Sequence, residues 1–459
     1  MIRAVWLIAR KEVLASLHSV RFIFTMDLIC LLFLASAFMM LSDYRMRRQA
    51  YEAKAKAHAA DVAALMAETD PHQQFRTLFW EEGLAFDRPP IPMSVLVKGL
   101  DLQMPLTVQT SAWEEKQSSD DVYRNPILKL YLSPDFAYIV NIILSLLAFL
   151  FVFDAICGEK EDGTLKLMLS YPVPKVAVIL GKWLGGFATL MGPVLVSTLF
   201  WMIIVTASNT VSFDTETVTR FFTIVGVSVM YVGVFFCLGM FISALTASSN
   251  TALLVCFFVW VIWIVVIPNA APVAAKVLAP IPSRQVIEEL KKDADAELGR
   301  RIAEAQRSML SYSDELQKLT DELKAEAEAE KQHIEAFYDT RVRRQSRITG
   351  LLARLSPAGS YMFAVTTVAG TGLETYNGVA AAIGKYQSDY RATFNRLRGN
   401  RLAMPAGWLT PDSLPRVNFP RMQLDDTLDA AMFDVLLLLL YNVVFFMLAF
   451  TAFLVYDPK

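Results

Sequence analysis

The chain is poor in the residues that build catalytic and metal centres, with four cysteines and four histidines in 459 residues. Cys30, Cys157, Cys237 and Cys256 all lie in or beside apolar runs, and no two have zinc-finger or redox-motif spacing. That pattern argues against a disulfide framework and a structural metal. His18, His58, His72 and His333 are scattered, with no ligand-like pair, and read as plain surface residues. Charge of one sign is also missing. The 43 Lys and Arg against 45 Asp and Glu leave a net −2, without the basic excess of a nucleic-acid-binding domain. No phosphate loop of the form G-x-x-x-x-G-K-[ST] occurs. The segment GVAAAIGK at 378–385 has the wrong glycine spacing and is followed by Tyr386. Serine nucleophile elbows, HExxH helices and kinase signatures are absent as well. The expectation is a chain with no catalytic residue, no metal and no cofactor of its own.

Apolar sequence, by contrast, is plentiful. Hydrophobic residues make up 54% of the chain, above the roughly 45–50% of an ordinary soluble domain. The 19% that is charged is clustered. A hydrocarbon core of about 30 Å needs about 20 mostly apolar helical residues, and six stretches qualify: 22–41, 136–156, 176–206, 221–245, 251–267 and 433–456. The first exceeds the usual signal-peptide core of about 7–15 residues and has a long amphipathic lead, so it reads as a span.

Orientation follows from Lys and Arg near span ends. Arg3, Arg10, Lys11 and Arg21 precede span 1, and Lys160, Lys166, Lys175 and Lys182 follow span 2. The short segment after span 3 carries Asp214 and Glu216 but no Lys or Arg. Both termini are therefore expected in the cytoplasm, with polar insertions 42–135 and 268–432 on the other side of the membrane.

Glycines gather in two spans, Gly181, Gly185, Gly186 and Gly192 in the third and Gly226, Gly233 and Gly239 in the fourth. Small residues let membrane helices approach closely, either within the bundle or at a dimer seam or substrate path. Asp27, inside span 1, is a carboxylate at the membrane and so a functional candidate by default.

In the first insertion, residues 45–66 read as a polar helix continuing span 1, and 106–108 as a possible short strand. In the second, Pro268, Pro272, Pro280 and Pro282 are expected to break the helix at the end of span 5. A proline-free helical stretch covers 284–355. Its apolar seam repeats every seven residues at Ile302, Met309, Leu316 and Leu323, with Ala305, Tyr312 and Leu319 between. Unbroken, it would reach about 105 Å, and a fold-back near Glu330 would halve that. It reads as a spacer on its own domain, a coiled-coil partner for a second subunit, or a dock for an external protein. The stretch AGSYMFAVTTVAGTG at 358–372 is expected at the membrane surface, before another amphipathic helix from 376 to 398.

The most informative segment follows span 2: FDAICGEKEDGTLKLMLSYPVPKVAVILGKWLG, residues 153–185. Acidic residues precede a Gly-Thr turn and a short Leu/Met-rich helix, which Pro172 and Pro174 end. Such a helix suits docking into a groove of a soluble partner. The order Glu159-Lys160-Glu161, Gly163-Thr164-Leu165, Leu169-Ser170, Pro172-Val173 resembles the loop of the ABC type-2 transporter permease family. The lead WLIARKEVLASLHSVRF, with Arg10, Lys11 and Glu12, is similar to that family's amphipathic connector helix, and Phe453–Asp457 to its usual ending.

Hydropathy, the heptad seam and the resemblance together lead to the expectation of an all-α membrane protein with six transmembrane helices, a connector helix over 1–21, a coupling loop over 157–175, and a mostly helical extracytoplasmic domain with a long coiled-coil-like helix, although the large insertions depart from the minimal family plan. The resemblance implies that Glu159, Lys160, Glu161, Gly163, Thr164, Leu165, Leu169 and Ser170 meet a separate ABC ATPase subunit, which holds ATP and Mg. It further implies a second permease subunit, the same chain or a related one, within the lipid bilayer, and export as the activity. The large insertions keep open a second reading, mechanotransmission by the long outer helix to a periplasmic or outer-membrane protein.

Overall fold

The computed structural model describes residues 1–81, 83–111, 115–118, 135–212, 214–308, 314–399, 409 and 414–456. It is an all-α membrane protein with one small sheet. Among the described residues, six helices are long and apolar enough to cross a membrane: Val20–Ala67, Phe136–Glu161, Lys175–Ala207, Thr215–Leu245, Ser249–Leu278 and Leu424–Val455, hereafter spans 1 to 6. The described cysteines are all free thiols. The chain divides into two compact units, Met1–Trp260 with Ser360–Lys459, and Val261–Gly359.

In the first unit a connector helix, Ile2–Leu17, precedes span 1. Ser19 caps span 1 by accepting from Phe22 N at 3.2 Å. No Gly or Pro interrupts the next 48 residues, so the apolar span runs on into its Ala-rich polar half as one helix about 72 Å long. Span 2 starts at the Asp135 cap, which accepts from Tyr138 N at 2.8 Å. It widens into a π-helical turn over Ile139–Leu144. There Asn141 accepts from Tyr231 OH through both its backbone O (3.0 Å) and its Oδ1 (2.7 Å).

Span 4 lies at the centre of this unit, with Tyr231, Phe235 and Phe236 fully buried. Phe235 meets Phe149 of span 2 edge-on at 5.4 Å. Span 6 contributes Asn442, whose Nδ2 donates to Met230 O of span 4 at 2.9 Å. The helix Pro357–Val368 corrects one expectation. Its Tyr361, Ala364, Val365 and Val368 are buried rather than spread on a membrane surface. Tyr361 stacks on Tyr231 with centroids 4.3 Å apart, and its hydroxyl lies 3.0 Å from Ser228 Oγ. Burial of that polar tip is satisfied by a partner inside the bundle.

Both polar insertions contribute to one small domain of this unit. Its antiparallel sheet has the order β1 (Leu84–Asp87), β2 (Thr107–Thr110), β3 (Glu115–Ser118), with Leu84 opposite Thr110 and Thr107 opposite Ser118. An aromatic core of Phe75, Phe79, Tyr386, Tyr390 and Phe394 joins the first insertion to the helix Leu373–Gly399, with Tyr390 OH donating to Leu78 O at 2.5 Å. Buried Asp101 receives Arg47 of the span-1 helix at 2.6 Å and Arg88 at 2.9 Å.

The second unit corrects two expectations. Pro268 and Pro272 do not end span 5, which continues to Leu278. A π-helical turn over Val261–Val266 precedes the prolines and supplies the slack a missing N–H requires, and Asn269 Nδ2 donates to Val265 O at 2.7 Å there. Nor does 284–355 follow either arrangement left open by the sequence, one unbroken helix or a fold-back near Glu330. Two helices, Arg284–Ser308 and Asp314–Ala353, pack antiparallel. Arg284 and Lys291 reach Glu335 at 2.8 and 2.5 Å, Lys331 pairs with Asp295, and Arg301 reaches Glu326 at 3.4 Å. Glu330 sits within the second helix. Residues 309–313, with Met309 and Tyr312 of the seam, lie outside the described residues.

Candidate functional site

Span 2 leaves its bundle through an irregular turn at Phe153–Ile156, which strands two backbone donors. Ser243 of span 4 accepts both, Ile156 N at 3.0 Å and Cys157 N at 3.1 Å. Two short helices follow, Cys157–Glu161 and Thr164–Ser170. Gly163 joins them at φ 71°. A Cβ there would meet nothing within 4 Å, so it is the left-handed backbone and not crowding that calls for glycine.

Successive helical residues point about 100° apart, so Glu159, Lys160 and Glu161 face three directions. Each ties the loop to a different span. Glu159 Oε1 lies 2.8 Å from Nζ of Lys182, a span-3 lysine whose side chain is 4% exposed. The same Nζ is 3.1 Å from Glu12 Oε1 on the connector helix. One buried ammonium thus joins connector, loop and span 3.

Lys160 Nζ donates to Ala244 O at 2.5 Å and Thr246 O at 3.0 Å, at the C-terminal end of span 4. The Tyr456 ring lies 4.9 Å away. Glu161 Oε2 accepts from Ser249 N at 3.1 Å and Ser249 Oγ at 2.6 Å, at the N-terminal end of span 5. A cation at a helix C-terminus and an anion at an N-terminus both complement the helix dipole. Further along the loop, Lys175 Nζ donates to Leu454 O (3.0 Å) and Tyr456 O (2.9 Å), closing the end of span 6. Asp457, the last residue of the ending read from the sequence, lies outside the described residues.

The second loop helix is anchored at one end and open at the other. Thr164 Oγ1 donates to Glu159 O at 3.4 Å, and Ser170 Oγ to Leu167 O at 2.7 Å. Leu165 is fully buried, whereas Leu167 and Tyr171 are 63% and 62% exposed. Leu169 has its place in this helix.

The connector helix reaches the site because two glycines of span 3 make room for it. A Cβ on Gly181 would lie 2.7 Å from Ile8, and one on Gly185 2.7 Å from Ala9 O. Glycine here permits the close approach that small residues give membrane helices. Gly186, Gly233 and Gly239 likewise face Phe236, Asn442 and Phe149 within the chain, while Gly192 and Gly226 meet nothing within 4 Å. Of the connector residues singled out in the sequence, Glu12 joins the site. Arg10 and Lys11 are exposed and, among the described residues, form no ion pair. Asp27 is exposed on span 1.

Lys182, Ser243 and Ser249 were not singled out as site residues by the sequence. Lys182 had a legible signal, as a charged residue inside an apolar run that marks a functional position by default. The two serines had none, since their role is set by where span 4 ends and span 5 begins.

The model of the ABC-2 family transporter protein matches residues 6–457, nearly the whole chain. The chain belongs to the ABC-2 transporter family. It is thus a permease subunit of an ABC transporter. It is similar to a probable ABC transporter permease protein NosY of Pseudomonas aeruginosa, 42% identical over 59 residues, which cover 12% of this chain and 22% of that one. A protein of the same description from Stutzerimonas stutzeri is 43% identical over 49 residues, or 11% and 18% of the two chains. The matched stretches thus span under a quarter of these relatives. In this ABC-2 permease the three spokes of Glu159-Lys160-Glu161 hold an open-sided helix, with exposed Leu167, at the end of the bundle.

Proposed function

We propose that this ABC-2 permease is driven by a separate ATPase subunit that docks on the loop 157–175 at the cytoplasmic face of a bacterial inner membrane. The observation that carries the reading is the fan of ties from three consecutive residues to spans 3, 4 and 5. A push on the helix Thr164–Ser170 is passed to three spans and, through Lys182, to the connector helix. Leu165, Gly163, Thr164 and Ser170 set the helix on its base, and the exposed Leu167 and Tyr171 face the partner. ATP and Mg are held by that partner. Two such permease subunits, identical or related, enclose the pathway between them, and the direction is export. Nucleotide then biases two arrangements of the spans.

A second reading is favoured by the hairpin of Arg284–Ser308 and Asp314–Ala353. Its longer arm has 40 residues, about 60 Å of helix, and its shorter arm follows span 5 after only the five residues 279–283. In this reading ATP hydrolysis moves the hairpin against a periplasmic or outer-membrane protein, and nothing crosses the spans.

The test is purification from native membranes in gentle detergent, followed by mass spectrometry of the bound proteins. An ATPase alone or with one sister permease supports export, and an ATPase with envelope proteins supports mechanotransmission. Recovery of the permease without any ATPase contradicts both.

A further inference from the structure

We propose that the second unit holds the phosphate of an anionic phospholipid where span 5 leaves the membrane. Apolar helix ends at Leu278, before Pro280, and Gln345 Nε2 donates to Ala279 O at 2.8 Å. This bond sets the middle of the sequence from Arg341 to Arg347 beside the end of the span. On one side of that level, Ser356 Oγ donates to Trp263 O at 2.5 Å, deep in span 5, and Leu351 and Leu355 are exposed. On the other side the hairpin helices are polar. The four arginines 341, 343, 344 and 347 therefore stand at the polar–apolar boundary.

Their chemistry suits phosphate. All four are exposed, and among the described residues none is paired with a carboxylate. Spacing of three residues sets Arg341, Arg344 and Arg347 along one helix face. Guanidinium groups bind phosphate oxygens in a bidentate fashion. Arg341 is also held over the Phe337 ring at 4.5 Å, which fixes its direction.

Two hollows meet at Arg344. One, of about 450 Å³, has an apolar floor of Leu278, Pro280 and Phe337 under a rim of Arg341 and Arg344. The other, of about 610 Å³, is lined by Arg343, Arg344 and Arg347 with Asp339 on its edge. The apolar floor continues into the exposed Val277 and Leu278 of span 5, the surface acyl chains cover. A phosphate at the rim with a chain along that floor satisfies both parts, whereas free phosphate uses only the first. The occupant is a lipid of the bilayer itself.

The test is native mass spectrometry of the full chain released from detergent with added phosphatidylglycerol or phosphatidylcholine. The wild type retains phosphatidylglycerol in preference, and millimolar inorganic phosphate does not displace it. The combined variant Arg341→Gln, Arg344→Gln, Arg347→Gln binds it on the order of 100-fold more weakly, at about fivefold per basic residue near a lipid surface. Lysine at the same three positions restores most of the binding, which separates lost charge from lost folding. A control pair, Arg300→Gln and Arg301→Gln, further along the hairpin, changes nothing. Equal retention of the two lipids, undiminished binding by the glutamine variant, or displacement by free phosphate overturns the proposal.

Discussion

Lys182 and Glu159 face each other at 2.8 Å across the junction of span 3 and the loop, with Glu12 on the far side of the same ammonium at 3.1 Å. The lysine side chain is almost fully enclosed, so its charge is balanced by these two carboxylates rather than by water. Removing one partner of such a group costs far more than replacing the whole set with apolar residues.

Lys182→Met therefore leaves two carboxylates facing each other and destabilises the protein by about 3 kcal/mol. A clear fall in the thermal unfolding midpoint of the detergent-solubilised protein is expected. The triple variant Lys182→Met, Glu12→Gln, Glu159→Gln recovers most of that loss but severs the connector from the loop, so its ATPase stimulation stays low. Recovery of both properties would separate the tie from coupling.

Gly163 gives a prediction based on backbone alone. Gly163→Val forces a β-branched residue into φ 71°, at about 1–2 kcal/mol, and tilts the helix Thr164–Ser170 off its base. Gly163→Asn, better tolerated in that region, stays close to wild type. Nucleotide hydrolysis stimulated by the reconstituted permease, measured for both variants, should follow this order.

Span 3 offers a matched pair. Gly185→Leu drives its side chain into Ala9 O of the connector helix, whereas Gly192→Leu meets open space within the chain. Limited proteolysis should release the first 17 residues in Gly185→Leu and leave them protected in Gly192→Leu. Equal protection would contradict the packing described for the connector.

The six spans and the loop were legible in the sequence because length and hydropathy set the first and a run of ordered polar residues the second. The same signals could not tell how the heptad seam of Ile302, Leu316 and Leu323 is covered, since a seam looks alike whether its partner is a second chain or its own reversal. Pro268 misled for a different reason: a π-helical turn just before it absorbed the missing hydrogen bond. Tyr361 was hidden by composition, because AGSYMFAVTTVAGTG is too weakly apolar to announce that it packs on Tyr231. Lys182 was read as a topological charge, and only the approach of Glu12 and Glu159 shows it as a junction.

The hairpin should loosen in acid. Glu297 is held at about 2, against an ordinary 4.5, by hydrogen bonds from Arg300 and then Arg301. Burial pulls Glu335 upward, but hydrogen bonds from Lys291 and Arg284 outweigh it and leave it lowered. A lowered carboxylate contributes its stabilisation above its ordinary pKa and loses it as pH falls through the folded value. Pepsin digestion should thus cut the helices Arg284–Ser308 and Asp314–Ala353 progressively faster from pH 4.5 to 2.5, relative to the spans in the same digest. Glu335→Gln removes much of that dependence.

Coupling through the loop is tested most directly by photo-crosslinking from Leu167 and Tyr171, two exposed side chains of the second loop helix and its end. With a photoreactive amino acid at either position in native membranes, the account predicts a crosslink to an ATPase subunit, lost when Glu161→Ala frees the loop from span 5. Crosslinks to lipid or to other proteins alone, with the ATPase present in the same membranes, would contradict it.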